Sequence, residues 1–477
     1  MKFKVFRAIF PVIFFLAFLS SFALSEQAHQ KNYDMPIVTT CQALNQPNTV
    51  YTQGANIIAL GSGACINIVA PNITFDGNGF SITGAEAGLA GIYSNQSGTK
   101  IKNVNIKNFT GFAGGKGIFF NGASNSLITN AIVAKNIRGI FINNSALITI
   151  ANSTADSNSI EGINFRSTSL SQVTNNILSS NGDFGILLLL SQSNQIKDNL
   201  IYSSQYGLYL DTNANNNTVS GNLVKDNING GISLSYNKAN KILNNDVINS
   251  GITSISIYNS SSNLLADNLI KGGNYGIIFS FDSSHNKIAN TIIDSANYSI
   301  AIFSSVNNSF DFLTLNNSNG DAIYLYLAHG TIFNNAAVTN TKTPYLDLIL
   351  DSSVNNLYLI NTFLNKYSFA SPGSAISVRN TKYGEIKFLQ HVSGQGPSLA
   401  NEISFGPDRA IIDSSSNPGL NRSAKITIIP YSYDADSYMV FRNKQKCPPT
   451  ICSNNTNTNE GVVFTVTIEG NYSLVQL

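Results

Sequence analysis

Six aromatic residues lie in or beside short apolar runs in the middle of the sequence, and their flat rings could bind a ligand. They are Tyr206, Tyr209, Tyr298, Phe303, Tyr324 and Tyr326. In an extended segment successive side chains point to opposite faces, so an outward ring leaves one flat side accessible. A flat ring of this kind can stack on a sugar ring. The sequence therefore predicts a carbohydrate-binding surface; alternatively, these rings are ordinary strand residues or lie beneath a loop.

Groups that could perform acid–base or metal chemistry are few and scattered. The carboxylates Asp198, Asp211 and Asp226 occupy different positions of the repeat described below, so they do not predict a catalytic cluster. The four histidines and three methionines are widely spread, with no His-x-His motif. The histidines are His29, His285, His329 and His391. The sequence therefore predicts no catalytic residues, no metal ligands and no cofactor.

The composition argues against a nucleic-acid partner. Lys and Arg number 28 against 26 Asp and Glu, the net charge is +2, and only 11% of residues are charged. No basic surface results from this balance. The chain is instead rich in Asn, Ser and Gly, which compete with helical hydrogen bonding and favour turn-rich β structure.

The first 25 residues predict a signal peptide. Lys2, Lys4 and Arg7 precede an apolar stretch over 8–19, and small residues at 23–25 resemble a cleavage site. The alternative, an uncleaved anchor, would need a longer stretch of roughly 20 apolar residues. We therefore expect a secreted or cell-surface protein without a membrane span after cleavage.

Four cysteines in an exported chain predict two disulfides. A zinc site using all four would need closely spaced pairs, and Cys41 and Cys65 are too far apart in sequence for that. Pairing within each terminal region predicts Cys41–Cys65 and Cys447–Cys452.

A repeat of 22 to 24 residues dominates the middle of the chain. Its anchor pairs are Gly117-Ile118, Gly139-Ile140, Gly162-Ile163, Gly185-Ile186, Gly207-Leu208, Gly231-Ile232, Ser254-Ile255, Gly276-Ile277, Ser299-Ile300 and Ala322-Ile323. Another apolar residue follows two positions after each pair, which is the alternation of a strand. In the run FGILLLLSQSN, Ile186 and Leu188 should point inward, whereas Leu187 and Leu189 should point outward.

A second series recurs every 23 residues between these anchors. Its members are Asn176, Asn199, Asn222, Asn245 and Asn268. Each lies between two inward aliphatic residues, so we expect it at a bend, in a left-handed backbone conformation that Asn tolerates. Amides stacked at one level can bond from coil to coil, so the series predicts a structural Asn ladder rather than a ligand site.

This period predicts an all-β solenoid, a right-handed parallel β-helix of about 23 residues per coil. A leucine-rich repeat would show a Leu-x-x-Leu-x-Leu frame, which is absent. The predicted organisation is a disulfide-bearing N-terminal cap over 36–70, the β-helix over 71–378 and a small β-sandwich-like module over 379–477. In this frame Arg138 and Glu161 lie in adjacent coils, one above the other, and should support the register.

The repeat sequences GIFFNGASNSLITNAIVAKN and YGLYLDTNANNNTVSGNLVKDN resemble those of the NosD-like and pectate-lyase-like superfamily of right-handed parallel β-helix proteins. The N-terminal CQALNQPNTVY, followed by Cys65, is similar to the start of secreted archaeal members. The superfamily includes lyases, hydrolases, adhesins and copper-site maturation factors. Polygalacturonase-like members carry Gly-His-Gly, which Ala328-His329-Gly330 matches only in part.

The expected function is therefore that of an exported, carbohydrate-binding or structural and adhesive β-helix protein without catalysis. The expected partner is a polysaccharide or cell-surface glycan. A polysaccharide lyase or glycoside hydrolase is the second hypothesis, and a NosD-like copper-site maturation factor is the third.

Overall fold

The computed structural model describes residues 35–85, 88–111, 114–352, 354–431, 438–458 and 461–476. The predicted signal peptide, residues 1–25, lies outside the described residues. Among the described residues, no helix is long and apolar enough to cross a membrane.

Each coil of the repeat contains one long strand and two short strands. In one coil these are Lys116–Asn121, Leu127–Thr129 and Ile132–Ala134, after which the next coil begins at Arg138. All three pair in parallel with their equivalents one coil later. The anchor glycine permits this close stacking, because a Cβ at Gly139 would lie 2.4 Å from the Gly162 carbonyl oxygen. The predicted parallel β-solenoid is confirmed.

The long strands form one sheet, here called the long-strand sheet. Its parallel strands are Gln42–Leu44, Ala64–Ile68, Ala90–Ser94, Lys116–Asn121, Arg138–Asn143, Glu161–Arg166, Phe184–Leu189, Tyr206–Asp211, Gly230–Ser235, Thr253–Tyr258, Tyr275–Ser280, Tyr298–Phe303, Ile323–Tyr326, Leu348–Leu350 and Tyr367–Ser374. Val392–Gly396 adds a final antiparallel strand.

The short strands form two further sheets. The first short-strand sheet contains Ile37–Val38, Val50–Gln53, Thr74–Asp76, Lys100–Lys102, Leu127–Thr129, Thr149–Ala151, Gln172–Thr174, Gln195–Lys197, Thr218–Ser220, Lys241–Leu243, Leu264–Ala266, Lys287–Ala289, Ser309–Asp311, Ile332–Asn334, Leu357–Ile360 and Ile376–Asn380. The second contains Ile57–Ala59, Ser81–Gly84, Asn105–Lys107, Ile132–Ala134, Thr154–Asp156, Ile177–Ser179, Leu200–Tyr202, Leu223–Lys225, Asp246–Ile248, Leu269–Lys271, Ile292–Asp294, Thr314–Asn316 and Ala337–Thr339.

The core fills the space between the three sheets. Inward residues stack on their equivalents, as Ile163 does on Ile186 and Ile186 on Leu208, and all three are almost fully buried. Burying one such side chain contributes roughly 1.5–3 kcal/mol. A single coil could not bury this face alone, so the stability of each coil depends on its neighbours.

The predicted Asn series lies in the core, between the two short-strand sheets. Asn222 is almost fully buried, and its Nδ2 donates to Ile196 O at 2.9 Å and to Asn245 Oδ1 at 3.0 Å. Its Oδ1 accepts from the backbone N–H of Asn199 at 3.0 Å. The same bonds recur along Asn176, Asn199 and Asn245. These amides therefore replace the backbone hydrogen bonds that the bend interrupts.

The expected backbone conformation of this series is wrong by one position. The residue before each ladder amide adopts the positive φ, as at Asn175, Asp198, Gly221 and Asn244. The bend places the left-handed residue outside, where it is solvated, and turns the following Asn inward. The ladder position therefore requires an amide and not a left-handed conformation.

Comparable ladders occur at the other corners of the coil. One, ahead of the first short strand, runs from Asn194 through Asn217 to Asn240, with backbone N–H to Oδ1 distances of 2.9 and 2.8 Å. Another, after the second short strand, links Asn136, Asn158 and Asn181. The first of these also has a period of 23 and could have been found from the sequence.

At both ends of the solenoid, strands pair with the neighbouring coils. Residues 36–70, for which a cap is predicted, already form strands that pair in parallel with the following coils, and they contain the Cys41–Cys65 disulfide. At the other end, Gly384–Phe388 pairs antiparallel with Ile376–Asn380, so the sheet continues past position 379.

The C-terminal region is antiparallel, as predicted. Ala424–Ile428, Gly461–Val466 and Cys452–Thr458 extend the first short-strand sheet beyond Gly384–Phe388. A separate five-stranded sheet contains Ile403–Gly406, Arg409–Ile412, Gly470–Gln476, Tyr438–Arg442 and Gln445–Lys446. In the part of the chain that the structure describes, the helical segments are Leu399–Glu402 and the 3-10 turn Pro418–Leu420. Cys447 and Cys452 form the second disulfide, and no cysteine is free.

Candidate binding groove

The outer face of the long-strand sheet carries the candidate site. Its outward residues form three columns along the solenoid axis, because parallel register repeats each position from coil to coil. The first column includes Phe184, Tyr206, Gly230, Thr253, Tyr275 and Tyr298. The second includes Leu187, Tyr209, Ser233, Ser256, Ile278, Ala301 and Tyr324. The third includes Asp211, Ser235, Tyr258, Ser280, Phe303 and Tyr326.

Small residues in the middle of these columns produce a groove. Gly230, Ser233 and Ser256 replace the large residues found in neighbouring coils, leaving a volume of about 440 Å³. The lining residues are Tyr206, Tyr209, Asn229, Ser233, Ser235, Tyr236, Ile252, Thr253, Ser256, Tyr258 and Ser280. A Cβ at Gly230 would lie 2.9 Å from Tyr206 Cδ1, so glycine allows the Tyr206 ring to lie against this coil.

One end of the groove is a compact cluster of three rings. The centroids of Phe184 and Tyr206 are 5.7 Å apart with the rings stacked, and Tyr209 meets both edge-on at 5.2 and 5.5 Å. Edge-to-face and offset packing are the preferred geometries of aromatic pairs. The structure thus brings together the predicted residues Tyr206 and Tyr209, which are half-buried and rigidly supported.

A second row of rings forms one side of the groove and was not predicted. The ring centroid of Tyr258 lies 5.4 Å from that of Tyr236 and 4.7 Å from that of Phe281. Tyr236 and Phe281 are 49% and 62% exposed, and both have φ of 52°. Other coils place Asn144, Ser167, Asn259 or Ser304 at this turn position, where a left-handed backbone suits a small polar residue.

Bulky residues in this conformation are strained, because a left-handed backbone costs about 1–2 kcal/mol for an ordinary residue. Tyr236 and Phe281 do not recover that cost by burial, since both remain largely exposed. Backbone strain is enriched at functional positions, and in this chain exposed Leu147, Leu170 and Phe312 show it outside the groove lining as well. Leu190 occupies the same turn position with φ of 52°, beyond the end of the groove lining.

The other four predicted residues lie farther along the axis. Tyr324 contacts both Tyr298, at 6.0 Å, and Phe303, at 5.5 Å between centroids, and Tyr298 stacks on Tyr275 at 5.2 Å. Tyr326 is next to Phe303 by register and is exposed. The Tyr324 hydroxyl donates to Asp351, and burial together with this bond raises the pKa of Tyr324 above its usual range. None of these four residues lines the groove.

Hydroxyl groups supply the polar part of the groove. Ser256 Oγ donates to Ser233 Oγ at 2.9 Å, and Asn229 Nδ2 donates to Gln205 Oε1 at 2.7 Å. Burial raises the pKa of the Tyr209 hydroxyl, so this group is neutral at physiological pH. The described residues contain no group of three or more His, Cys, Asp or Glu side chains that could hold a metal ion. The groove therefore offers flat rings and neutral hydroxyls, an arrangement suited to hydrogen bonding and stacking.

Comparison with known proteins agrees with the fold. The family described as "Right handed beta helix region" matches residues 90–247. No curated protein matches the sequence significantly.

Solved structures with similar coils have low sequence identity to the chain. The A-module of the mannuronan C-5 epimerase AlgE4 from Azotobacter vinelandii is 14% identical, over 66% of this chain and 91% of that one, with a TM-score of 0.45. A variant of the tailspike protein of the E. coli bacteriophage HK620, in complex with a pentasaccharide, is 9% identical, over 89% and 85%, with a TM-score of 0.49.

The NosD-like and archaeal resemblance stays a prediction. The family match over residues 90–247, together with the parallel coils and their register, shows that the chain has a right-handed parallel β-helix fold.

Proposed function

We propose that this protein is exported and binds a carbohydrate polymer along the groove on its long-strand sheet. The observation that carries the proposal is Tyr236, an exposed ring held in a left-handed turn beside Tyr258, over a floor of serine hydroxyls. Rings supply a stacking surface for sugars, and the serines supply donors and acceptors for sugar hydroxyls.

The ligand would run parallel to the solenoid axis. Rings recur along this direction at steps of about 4.8 Å, the spacing between adjacent strands. The groove would hold the central sugars, and Tyr298, Phe303, Tyr324 and Tyr326 would extend the contact beyond it. Aromatic stacking on nucleic-acid bases contributes about 1–3 kcal/mol per ring, and we expect a similar scale here.

Export is supported by two disulfides, which persist in oxidising compartments. The predicted N-terminal signal peptide supports it as well. Secretion of the full-length chain, with loss of residues 1–25 measured by mass spectrometry, tests this part of the proposal. Retention in the cytoplasm with an intact N-terminus would contradict it.

The Tyr236→Asn variant tests the groove. Asn is the residue that other coils carry at this turn, at Asn144 and Asn259, so thermal stability should be unchanged or higher. Retention on the polysaccharide that a glycan array selects should fall by about tenfold, the loss of one stacking contact.

Leu190→Asn is the matched control, because it also replaces a bulky residue by Asn, at the equivalent turn outside the groove lining. It should leave retention unchanged. Equal retention by wild type and Tyr236→Asn would contradict the proposal, as would the absence of any retained glycan. Shortening of the polymer would instead indicate a lyase or hydrolase.

A further inference from the structure

A second, charged pocket lies on the same face, toward the N-terminal end of the solenoid. Arg138 and Arg166 extend into it from adjacent coils, and Lys116 from the coil before. The pocket has a volume of about 230 Å³, and its remaining lining residues are Phe141, Glu161, Asn164, Leu187 and Leu189. Such a cluster is unusual in a chain with only 11% charged residues.

The charges of this pocket do not balance. Among the described lining residues, Glu161 is the one carboxylate; it is 3% exposed, and Arg138 Nε lies 2.8 Å from Glu161 Oε2. Asp183 is close enough to affect the Glu161 carboxylate. Among the described residues, three cations face these two carboxylates. Burial and the neighbouring Arg138 lower the pKa of Lys116, so the cluster favours additional negative charge.

The pocket also presents an acceptor and an apolar surface. Asn164 is 6% exposed, and its Nδ2 donates to Glu161 Oε1 at 2.8 Å. Asn164 Oδ1 has no hydrogen-bond partner among the described residues. Phe141 and Leu187 supply apolar atoms beside it. An anion alone would use only the cations, whereas an acidic sugar would also use the amide oxygen and the apolar surface.

We propose that this pocket binds the acidic group of a sugar, a carboxylate or a sulfate ester, with a ring hydroxyl donating to Asn164. The proposal rests on the proposed function, since the sugar would belong to the polymer in the groove. Four coils separate the strand of Glu161 from that of Thr253, roughly 19 Å along the axis. Phe184, Tyr206 and Tyr209 lie between them, so a linear polymer could contact both sites.

NMR titration of the full protein measures the binding of small probes. Glucuronate and glucose 6-sulfate are the acidic sugars, and glucose, acetate and inorganic sulfate are the compounds with which they are compared. Glucuronate or glucose 6-sulfate should bind at least tenfold more tightly than glucose and than the corresponding simple anion. Arg166→Gln should lower that affinity at least about tenfold, because hydrogen bonds to charged groups are strong. Arg166 is exposed and is not the partner of Glu161, so the fold should tolerate this change.

One further variant changes a residue of the pocket, and another is a control outside it. Glu161→Gln keeps the bonding geometry but removes the competing carboxylate, so affinity for the acidic sugar should rise. Lys197→Gln removes a charge from an exposed lysine on the first short-strand sheet and should have no effect. Binding of glucose or of acetate equal to that of glucuronate would overturn the proposal, as would an unchanged affinity in Arg166→Gln.

The groove variant separates this proposal from the preceding one. Tyr236→Asn should weaken polymer retention and leave glucuronate binding intact. Polymer retention without selectivity for acidic sugars would overturn only the proposal that the charged pocket binds an acidic sugar. Selective glucuronate binding without polymer retention would overturn the groove alone.

Discussion

The interior and the outer face of the solenoid share one period but use it differently. Inside, Asn176, Asn199, Asn222 and Asn245 repeat the same amide at the same place, and each bonds the next. Outside, the second column changes from Tyr209 to Ser233 within one coil. The same residue repeats in the interior because each coil must match the coils on which it stacks. The break in uniformity produces the groove. The fold therefore follows from the interior repeat, whereas the proposed binding site follows from a departure from that repeat.

The largest effect should come from breaking the interior repeat. Asn222→Leu would remove five side-chain hydrogen bonds and leave the backbone N–H of Asn199 without its partner. We expect the free energy of unfolding to fall by roughly 3–5 kcal/mol, measured by chemical denaturation. Asn216→Leu is the control, because the equivalent turns already carry exposed Leu147 and Leu170. Similar losses in both variants would contradict the structural role of the amide ladder.

The two disulfides lie near opposite ends of the chain and close loops of different length. Cys41–Cys65 closes a loop of sequence separation 24, whereas Cys447–Cys452 spans only 5. Loop-closure entropy then predicts losses of about 3 and about 2 kcal/mol when each pair is replaced by alanine. Thermal melting of the two double variants would check the order, and a larger loss at the C-terminal pair would contradict it.

The C-terminal region contains a buried polar group outside any ladder. The Tyr367 hydroxyl donates to Glu402, which is 4% exposed, and burial raises the pKa of Glu402. A raised pKa means that the folded state favours the protonated acid, so stability falls as pH rises from the ordinary pKa of a glutamate to the raised pKa of Glu402. Glu402→Gln should therefore raise the melting temperature at pH 7 and have little effect at pH 4. A lower melting temperature at pH 7 would contradict this account.

A smaller effect on stability is expected at the outer face. Tyr326→Ala removes an exposed ring that is next to Phe303, and the free energy of unfolding should change by less than about 1 kcal/mol. Retention on polysaccharide should nevertheless fall. A large loss of stability would show that this ring belongs to the packing and not to a binding surface.

The sequence predicts the interior well because the interior is periodic. The anchor glycines, the aliphatic columns and one Asn ladder follow from spacing alone. The left-handed residue was misplaced by one position, since Asn and Asp also occupy the preceding position, as at Asn175 and Asp198. The spacing cannot distinguish two adjacent polar residues, one inward and one outward.

The groove could not be predicted in the same way. Its floor consists of Ser233 and Ser256, whose small side chains carry no periodic pattern of their own. The large aromatic residues of the sequence point to Tyr206 and Tyr209, but they do not indicate the space beside these two rings. Tyr236 could have been found, because an aromatic residue occupies a turn position that carries Asn or Ser in four other coils, at Asn144, Ser167, Asn259 and Ser304. The departure of Tyr236 from the repeat is the sequence feature that indicates the groove.

A fluorescence titration tests most directly whether a glycan occupies the groove. The chain has no tryptophan, so one introduced residue reports from one place. Ser280→Trp places the reporter in the groove lining, and Ile292→Trp places it on an exposed position of the second short-strand sheet. With the polysaccharide selected on a glycan array, emission should shift to the blue in a saturable manner for Ser280→Trp alone. No shift at Ser280→Trp, or equal shifts at both positions, would contradict binding in the groove.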